Sequence, residues 1–352
     1  MMVFGVDPHK GSHTAAGADE LGRARGQKTV PARRDGHREL IAWARQLAPD
    51  RRRWAVEDVR HTASGLVREL LAAGEEVVFV PTRMMAAARS GGRERGKSDP
   101  IDAMACARAA LREDAYLPAA RLDEQVLDIR RLADHRDDLV TERTRTVNRL
   151  RWLVHDLDPA LNPPSRALTR TRTAARTLEA ALQQLPATAG RRVALSLLAR
   201  VTALSAEITA LEADLAPLTQ QLCPQLISIC GISVVSAARL LGEAGDVRRF
   251  RSSAAYARHN GTAPIPAASG THDVHRLNRG GNRQANAVIH RIALTQGRCH
   301  PGARRLLERR IQTIRETPKA ARRVLKRHLS DVIYRALQAD AWRLDQPRQP
   351  EA

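Results

Sequence analysis

Apolar and polar positions near the start of the chain switch between short apolar runs and segments with helical spacing. Residues 2–6 form an apolar run that ends at Asp7. Similar runs predict further strands over 13–18, 25–30, 54–56 and 76–80. Apolar side chains recur at helical spacing between those strands, over 36–47 and 62–73. Strands that alternate with helices predict an α/β domain with a mixed sheet, which we place over residues 1–118.

The middle of the chain has the pattern of long helices. Apolar residues recur at steps of three and four over 121–157. Over 189–217 they alternate at steps of four and three, at Val193, Leu197, Val201, Leu204, Ile208, Leu211 and Leu215. This heptad seam predicts a coiled-coil hairpin or a dimerisation arm, although packing inside one helical bundle gives the same pattern. We assign residues 119–222 to this helical region.

Residues 223–345 are predicted to form a third, mostly helical domain, followed by a tail over 346–352. Helical segments are expected over 234–243, 252–258, 283–297, 301–316 and 319–342. The segment from Leu226 to Phe250 places glycines between two of these helices and has a helix-hairpin-helix-like pattern. Such a turn exposes backbone N–H groups that can hold a phosphate.

Composition adds a strongly basic charge. The chain has 352 residues and a formal net charge of +20, and residues 221–352 alone carry about +14. A basic field concentrated in one region favours a polyanionic partner, with nucleic acid ahead of an anionic membrane surface. No apolar run approaches the ~20 residues that span a bilayer, and the first residues lack the features of a signal peptide. We therefore expect a cytoplasmic protein without a membrane partner.

The cysteines include no Cys-x-x-Cys pair, which argues against a zinc site or a disulfide framework. They are Cys106, Cys223, Cys230 and Cys299. We expect all of them to be buried, reduced thiols.

Carboxylates of the first domain are candidates for a metal site. Asp7 and Glu57 each follow a predicted strand, and ligands collect at strand ends in α/β sheets. A helix that begins near residue 99 would place Asp99 and Asp102 on one face. Such oxygen ligands suit Mg²⁺, with Mn²⁺ as an alternative, and two ions of this kind can assist phosphoryl transfer. Structural roles stay open, because Asp99 can cap the helix and Asp102 can be a solvated acid of the first turn, which the helix dipole stabilises.

The same region resembles a known enzyme family in four blocks. They are Phe4-Gly5-Val6-Asp7-Pro8-His9-Lys10, Val56-Glu57, the segment from Gly74 to Pro81, and Lys97-Ser98-Asp99-Pro100-Ile101-Asp102-Ala103. The family is the DEDD transposases of the insertion-sequence "one-ten" group, with its "eleven-eleven" subgroup. The resemblance implies a RuvC-like domain with an RNase H fold and a Mg²⁺-binding quartet at Asp7, Glu57, Asp99 and Asp102. It also places Lys10 and Lys97 on the family's basic positions, while Asp58 remains an alternative to Glu57.

The resemblance continues at residues 226–297, which look like the family's C-terminal transposase domain. The matching blocks are Gly261-Thr262-Ala263-Pro264, Ala268-Ser269-Gly270 and Leu277-Asn278-Arg279-Gly280-Gly281-Asn282-Arg283. The family's nucleophilic serine, which attacks a DNA phosphate and becomes covalently linked to it, corresponds to Ser269. Without that context a Ser-Gly pair predicts only a turn. Neighbouring residues are expected to meet nucleic acid: Arg276, Arg279, Asn282, Arg283 and Arg291.

The resemblance implies an insertion-sequence transposase, a DNA recombinase of the bacterial nucleoid. Its implied partners are double-stranded DNA, a structured guide RNA that pairs with donor and target, and further copies of the chain in a homodimer or homotetramer. Base pairing would then determine the choice of sequence. Two other functions stay open from the residues alone. One is a metal-dependent nuclease or Holliday-junction resolvase that uses only the acidic quartet, and the other is a non-catalytic nucleic-acid-binding protein.

Overall fold

The computed structural model describes residues 1–57, 62–81, 84–85, 98–113, 117, 119–121, 123–161, 163–266, 275–276, 278 and 280–345. Several residues singled out in the sequence lie outside these ranges: Asp58, Lys97, Ser269 and Arg279. The chain divides into two compact units. The first comprises Met1–Asp123, Gly245–Asn286 and Lys326–Arg335, and the second comprises Glu124–Ala244, Ala287–Leu325 and Ala336–Ala352.

A five-stranded mixed sheet lies in the first unit. Its strands are β1 (Met2–Pro8), β2 (Ser12–Ala18), β3 (Ala24–Pro31), β4 (Arg52–Glu57) and β5 (Glu76–Val80). They lie in the order β3-β2-β1-β4-β5. The pairs β1–β2 and β2–β3 are antiparallel, whereas β1–β4 and β4–β5 are parallel. This strand order is that of an RNase H-like fold, so the predicted N-terminal fold is confirmed.

Helices make up most of the remaining described structure. Those of the first half are α1 (Arg34–Leu47), α2 (Ser64–Ala72), α3 (Asp99–Glu113), α4 (Glu124–Leu157), α5 (Ser165–Leu168), α6 (Arg172–Gln184) and α7 (Ala189–Leu222). Those that follow are α8 (Pro224–Ile227), α9 (Val234–Ala244), α10 (Ser253–His259), α11 (Arg283–Cys299), α12 (Pro301–Glu308) and α13 (Pro318–Asp345). A short strand pair, β6 (Ile265–Pro266) and β7 (His275–Arg276), separates α10 from α11.

The two faces of the sheet are covered by different helices. On one face, Phe4 and Trp54 pack into a core with Leu40 of α1 and Leu66 of α2. On the other face, small side chains of α3 pack against the strands; they include Cys106, Ala107 and Ala110. Because both faces are covered, β1 is buried along nearly its whole length, which explains its continuous apolar run.

The second unit contains a hairpin of the long helices α4 and α7. The ion pairs Glu142–Arg200 and Arg136–Glu212 show that the helices run antiparallel. Most of the predicted seam is buried in this unit, at Val201, Leu204, Ile208 and Leu215, whereas Val193 is exposed. Part of the seam packs against Leu139, Val147 and Leu150 of α4. The chain's own helix therefore covers the seam, and a dimerising role for it remains a prediction.

Helix α7 bears on the expectation that the chain has no membrane-spanning segment. By length and composition alone, Ala189–Leu222 is apolar enough to cross a membrane. Charged residues such as Arg200 and Glu212 interrupt it, so it is not a continuous apolar run. The sequence prediction ended this helix at 217, whereas Pro217 is accommodated inside it. One such helix is weak evidence for a span. Ion pairs join α7 to the highly charged helix α4, as expected for one arm of a hairpin.

Two other expectations are corrected. The helix predicted over 301–316 ends at Glu308 and continues as a π-helical turn over Arg309–Thr313. Arg315 then adopts a positive φ of 58°, a left-handed conformation that ends helices. Among the cysteines, Cys106 and Cys223 are buried as expected, but Cys230 and Cys299 are exposed. Cys230 lies in the turn between α8 and α9, and Cys299 is the last residue of α11. The local apolar pattern does not determine burial at such positions.

Candidate active site

Asp7 and Glu57 lie at the ends of adjacent strands. β1 and β4 are parallel, and Val6 pairs with Val56, so the two carboxylate residues follow equivalent positions. Side chains alternate between the faces of a sheet. Val3 and Ala55 belong to the core under α3, and therefore Asp7 and Glu57 share that same face. The structure thus brings together two acidic residues that are 50 positions apart in the sequence.

Helix α3 supplies Asp99 and Asp102 to the same face. It packs tightly on β1 because position 5 is glycine: a Cβ there would overlap the carbonyl oxygen of Ala103 and the backbone nitrogen of Ala107. Asp102 is only 7% exposed, which contradicts its alternative role as a solvated acid. Gly5 is therefore a residue of the site that sequence reasoning quoted within a motif but gave no role.

Asp7 has the electrostatic environment of a cation ligand. It is 5% exposed, and this burial raises the pKa of its carboxyl group. Asp102 and Asp99 raise that pKa further, while His9 lowers it. Burial and neighbouring like charge both disfavour a carboxylate unless positive charge is supplied nearby. The acidic cluster is therefore suited to a divalent cation, as the DEDD family implies.

His9 is the second residue that sequence reasoning missed. Its Nε2 atom lies 3.2 Å from Asp7 Oδ2 and 3.3 Å from Asp99 Oδ1. Ligand atoms from His9, Asp7 and Asp99 all lie within 4.8 Å of one another, close enough to share one metal ion. The signal was present in the Asp7-Pro8-His9 spacing, because side chains two positions apart along a strand lie on the same face.

A buried thiol lies near the acidic residues. Cys106 Sγ donates a hydrogen bond to the carbonyl oxygen of Ala55 at 3.2 Å. Burial raises the pKa of this thiol, and the nearby charges of Glu57 and Asp7 raise it further. Cys106 therefore stays protonated and serves as an apolar element of the packing, not as a nucleophile.

The candidate nucleic-acid residues fall into three groups. Lys10, Arg283 and Arg291 are exposed and can reach a partner. Asn282 has a structural role, because its Oδ1 accepts a hydrogen bond from the backbone N–H of Ala285 at 2.9 Å and caps α11. Arg276 belongs to β7 by its backbone, and Lys97 and Arg279 lie outside the described residues.

Ser269 also lies outside the described residues, but the elements on either side of it are described. Ile265 pairs with Arg276 and Pro266 with His275, so the two described strands pair with each other. Further along the chain, Gly281 has a φ of 92°, and a Cβ there would come within 2.6 Å of the carbonyl oxygen of His259. The glycine at position 281 thus permits this close packing of backbone against backbone.

The strand order and the acidic cluster under α3 define an RNase H-like domain of the metal-dependent class. Residues 4–159 match a family model for transposases, DEDD_Tnp_IS110, and residues 223–308 match the model described as "Transposase IS116/IS110/IS902 family". The chain belongs to this family of DEDD transposases, and it is an enzyme that acts as a transposase or recombinase.

Relatives from two other insertion elements are similar to this chain. The 44.8 kDa protein of insertion element IS116 from Streptomyces clavuligerus is 28% identical over 320 residues, which cover 78% of this chain and 79% of the relative. The 42 kDa protein of insertion element IS900 from Mycobacterium paratuberculosis is 33% identical over 110 residues, or 31% of this chain and 28% of the relative.

A solved structure of Thermus RuvC was also matched, described as "T. thermophilus RuvC in complex with Holliday junction substrate". It covers 34% of this chain and 99% of the RuvC chain, with 15% sequence identity and a TM-score of 0.27. A TM-score of that size does not establish a common fold, which rests here on the strand order of the sheet.

Proposed function

We propose that this transposase cleaves and exchanges DNA strands through a covalent link to Ser269, assisted by a divalent cation at Asp7, Glu57, Asp99 and Asp102. The observation that supports this best is the convergence of acids under α3. Asp7 and Glu57 end adjacent strands on the face that α3 covers, and α3 itself begins with Asp99. A cluster of carboxylates in this arrangement can hold the divalent cations that assist phosphoryl transfer.

The donor set fits a hard cation, and we infer Mg²⁺ ahead of Mn²⁺. Carboxylate oxygens are the preferred ligands of both ions, and the buried Asp7 carboxylate needs positive charge beside it because its pKa is raised by burial and by Asp102. When bound, the ion would polarise a phosphate oxygen and offset developing negative charge. His9 Nε2 contacts both Asp7 and Asp99, and with an ion bound this nitrogen would be a ligand beside the two carboxylates.

The covalent step is assigned to Ser269. Its hydroxyl oxygen forms a bond to a backbone phosphorus and loses its proton, while the bond from that phosphorus to one sugar oxygen breaks. The released sugar oxygen takes up a proton. The new phosphoserine ester retains the energy of the phosphodiester, so the hydroxyl of another strand can displace Ser269 and reseal the backbone. Arg276 and Arg283 follow the serine in the sequence and would stabilise charge on the phosphate.

Nucleic acid is the proposed partner of the basic surface. Arg283 and Arg291 are exposed on α11, within the region 221–352 that carries about +14 of the net charge. We infer contacts to the backbone of double-stranded DNA and of a structured guide RNA, with base pairing providing the choice of sequence. We also infer that strands are exchanged within a homodimer or homotetramer, since two DNA segments must be held together.

A covalent-adduct assay tests the central proposal. The protein is incubated with element-end DNA, the transcript flanking the element and Mg²⁺, and the products are separated on a denaturing gel. We expect an adduct with the wild type and with Ser228→Ala, an exposed serine used as the control, and none with Ser269→Ala. An adduct that persists in Ser269→Ala would overturn the serine assignment.

The same assay distinguishes the resolvase alternative. A metal-dependent nuclease that uses only the acidic quartet would cleave DNA as Ser269→Ala without forming an adduct. Asp102→Asn is expected to abolish both cleavage and adduct, because it removes a buried carboxylate from the cluster. For the guide RNA, a discrete transcript from beside the gene should co-purify with the protein, and recovery of random cellular RNA only would count against it.

A further inference from the structure

Two exposed thiols meet in the second unit. Cys230 and Cys299 are 69 positions apart, yet their sulfur atoms lie 3.7 Å from each other. The remaining cysteines, Cys106 and Cys223, are buried. An exposed pair of neighbouring sulfurs is a different chemical feature from a buried thiol, because oxidants in solution can reach it.

Structured backbone holds the Cys230 side of the pair. The N–H of Ile232 donates to the carbonyl oxygen of Ile229 at 3.0 Å, which closes a β-turn around Cys230 and Gly231. Gly231 has a φ of 83°, the conformation required at the third position of a type II turn. Gln296 of α11 donates from Nε2 to the carbonyl oxygen of Cys230 at 2.7 Å. The turn is thereby fixed to the same helix that ends in Cys299.

The Cys299 side is equally well defined. Cys299 is the last residue of α11, and its Sγ donates to the carbonyl oxygen of Thr295 at 3.2 Å. The next residue, His300, caps α12 by accepting a hydrogen bond at Nδ1 from the N–H of Ala303. Both thiols therefore project from backbone that is held by hydrogen bonds, and their proximity does not depend on a loose chain end.

We propose that Cys230 and Cys299 are a redox modification site that forms a reversible intramolecular disulfide with a low-molecular-weight disulfide or a peroxide as oxidant. A sulfur–sulfur bond is about 2.05 Å long, so side-chain rotation has to close only the remaining gap. Exposed disulfides of this kind are the labile ones, which form and break with the redox state of the surroundings.

The reaction with glutathione disulfide balances in two exchanges. One protein thiolate attacks a sulfur of glutathione disulfide and forms a mixed disulfide, and one glutathione thiolate leaves. The second protein thiolate then attacks the protein sulfur of the mixed disulfide, and the second glutathione leaves. The two cysteine sulfurs together lose two electrons and two protons, and glutathione disulfide gains them as two glutathione thiols.

The bond would connect the turn before α9 to the junction between α11 and α12. Segment 230–299 becomes a closed covalent loop, so the ends of that segment can no longer separate. The consequence is local restraint of the Ile229–Ile232 turn and of the last turn of α11, and it is reversed by a thiol reductant.

Thiol counting on the full-length protein tests the proposal. The reduced native protein should present two thiols that react quickly with a chromogenic disulfide reagent. After equilibration with excess glutathione disulfide, both should be lost, and they should return on addition of dithiothreitol. If both thiols stay reactive after incubation with glutathione disulfide, the disulfide does not form and the proposal is overturned.

Peptide mapping identifies the bond. The oxidised protein is quenched in acid, alkylated and digested without reduction, and the expected product is a linked pair of peptides containing Cys230 and Cys299. Cys230→Ser and Cys299→Ser should each give a glutathione adduct on the remaining thiol, while Cys223→Ser should keep the linked pair. Separate glutathione adducts on both cysteines of the wild type, or a bond to Cys106 or Cys223, would overturn the proposal.

Discussion

Gly5 of β1 and Ala103 of α3 lie so close that a methyl group on Gly5 would overlap the carbonyl oxygen of Ala103. This close approach determines the position of α3, and therefore how near Asp99 and Asp102 come to Asp7. The acidic site thus depends on the absence of a side chain at position 5 as much as on the acids themselves.

Gly5→Ala should disrupt the acidic site. The added methyl meets helix backbone, which cannot rotate away, so α3 must shift from the sheet and take its two carboxylates with it. Displacements of about 1 Å can lower a catalysed rate by roughly 100-fold, and we expect a loss of DNA cleavage of that order. Gly11→Ala is the matched control, because a Cβ at Gly11 meets nothing within 4 Å. Equal activity in both variants would contradict this account of the packing.

His9→Gln should lower the affinity for Mn²⁺ more than the affinity for Mg²⁺. The His9 imidazole lies within reach of an ion shared with Asp7 and Asp99, and a nitrogen ligand favours Mn²⁺ relative to an all-oxygen site. We expect a loss of Mn²⁺ affinity of about ten-fold or more, measured by electron paramagnetic resonance of free Mn²⁺ without DNA. The exposed neighbour Lys10→Gln changes only the charge, so it should affect both ions alike. An unchanged Mn²⁺ affinity in His9→Gln would exclude His9 as a ligand.

Local patterns predicted most of the fold. The alternation that places Val3, Gly5 and Asp7 on one face of β1 is visible in the sequence, and so are the helices that became α1, α4 and α7. Strand order could be expected only through the family resemblance, because residue periodicity does not reveal which strands become neighbours. The acidic residues were predicted for two reasons. Asp7 and Glu57 lie at strand ends and Asp99 and Asp102 lie in the first turn of a helix, and the family's motifs fix their order.

Contacts between distant short segments were not predictable in this way. His9 meets Asp99 across 90 positions, and Cys230 meets Cys299 across 69. These residues lie next to strand or helix ends, where no period of apolar residues indicates burial or direction. The close approach at Gly5 was likewise hidden, since a glycine in a strand has several explanations.

The RNase H-like domain should lose stability as the pH falls from about 6.5 toward 4. The rings of His13 and His37 stack at 5.1 Å in the interior, and their Nδ1 and Nε2 atoms, respectively, have no hydrogen-bond partner within the described part of the chain. Burial and the neighbouring His37 lower the pKa of His13 to about 4, and burial lowers the pKa of His37. The unfolded chain therefore binds more protons in this range, so stability decreases with falling pH, by roughly 3 kcal/mol for His13.

Urea unfolding of the full-length protein at pH 7 and pH 5 measures this dependence. His13→Gln should reduce the change in unfolding free energy between the two pH values, whatever its effect on stability at pH 7. His155→Gln, at an exposed position of α4, should leave the change as in the wild type. A dependence that is identical in His13→Gln and the wild type would show that other groups cause it.

The helical unit should depend on one buried guanidinium. Arg239 of α9 donates to Asp137 Oδ2 and to the carbonyl oxygen of Ala133, each at 2.6 Å, and also pairs with Asp134. Its side chain is 5% exposed, and that of Glu243, with which it also pairs, is 1% exposed. Arg239→Met keeps much of the volume but removes the positive charge beside a buried carboxylate, and breaking such a pair costs about 3–5 kcal/mol.

The exposed pair Arg200–Glu142 provides the control for this effect. Both of its side chains are about half exposed, so Arg200→Met should cost no more than about 1 kcal/mol. Hydrogen exchange of α9 reports the difference: amides of Val234–Ala244 should exchange much faster in Arg239→Met and at nearly the wild-type rate in Arg200→Met. If α9 is equally protected in both variants, packing of its apolar face against the unit, and not the ion pairs of Arg239, holds it in place.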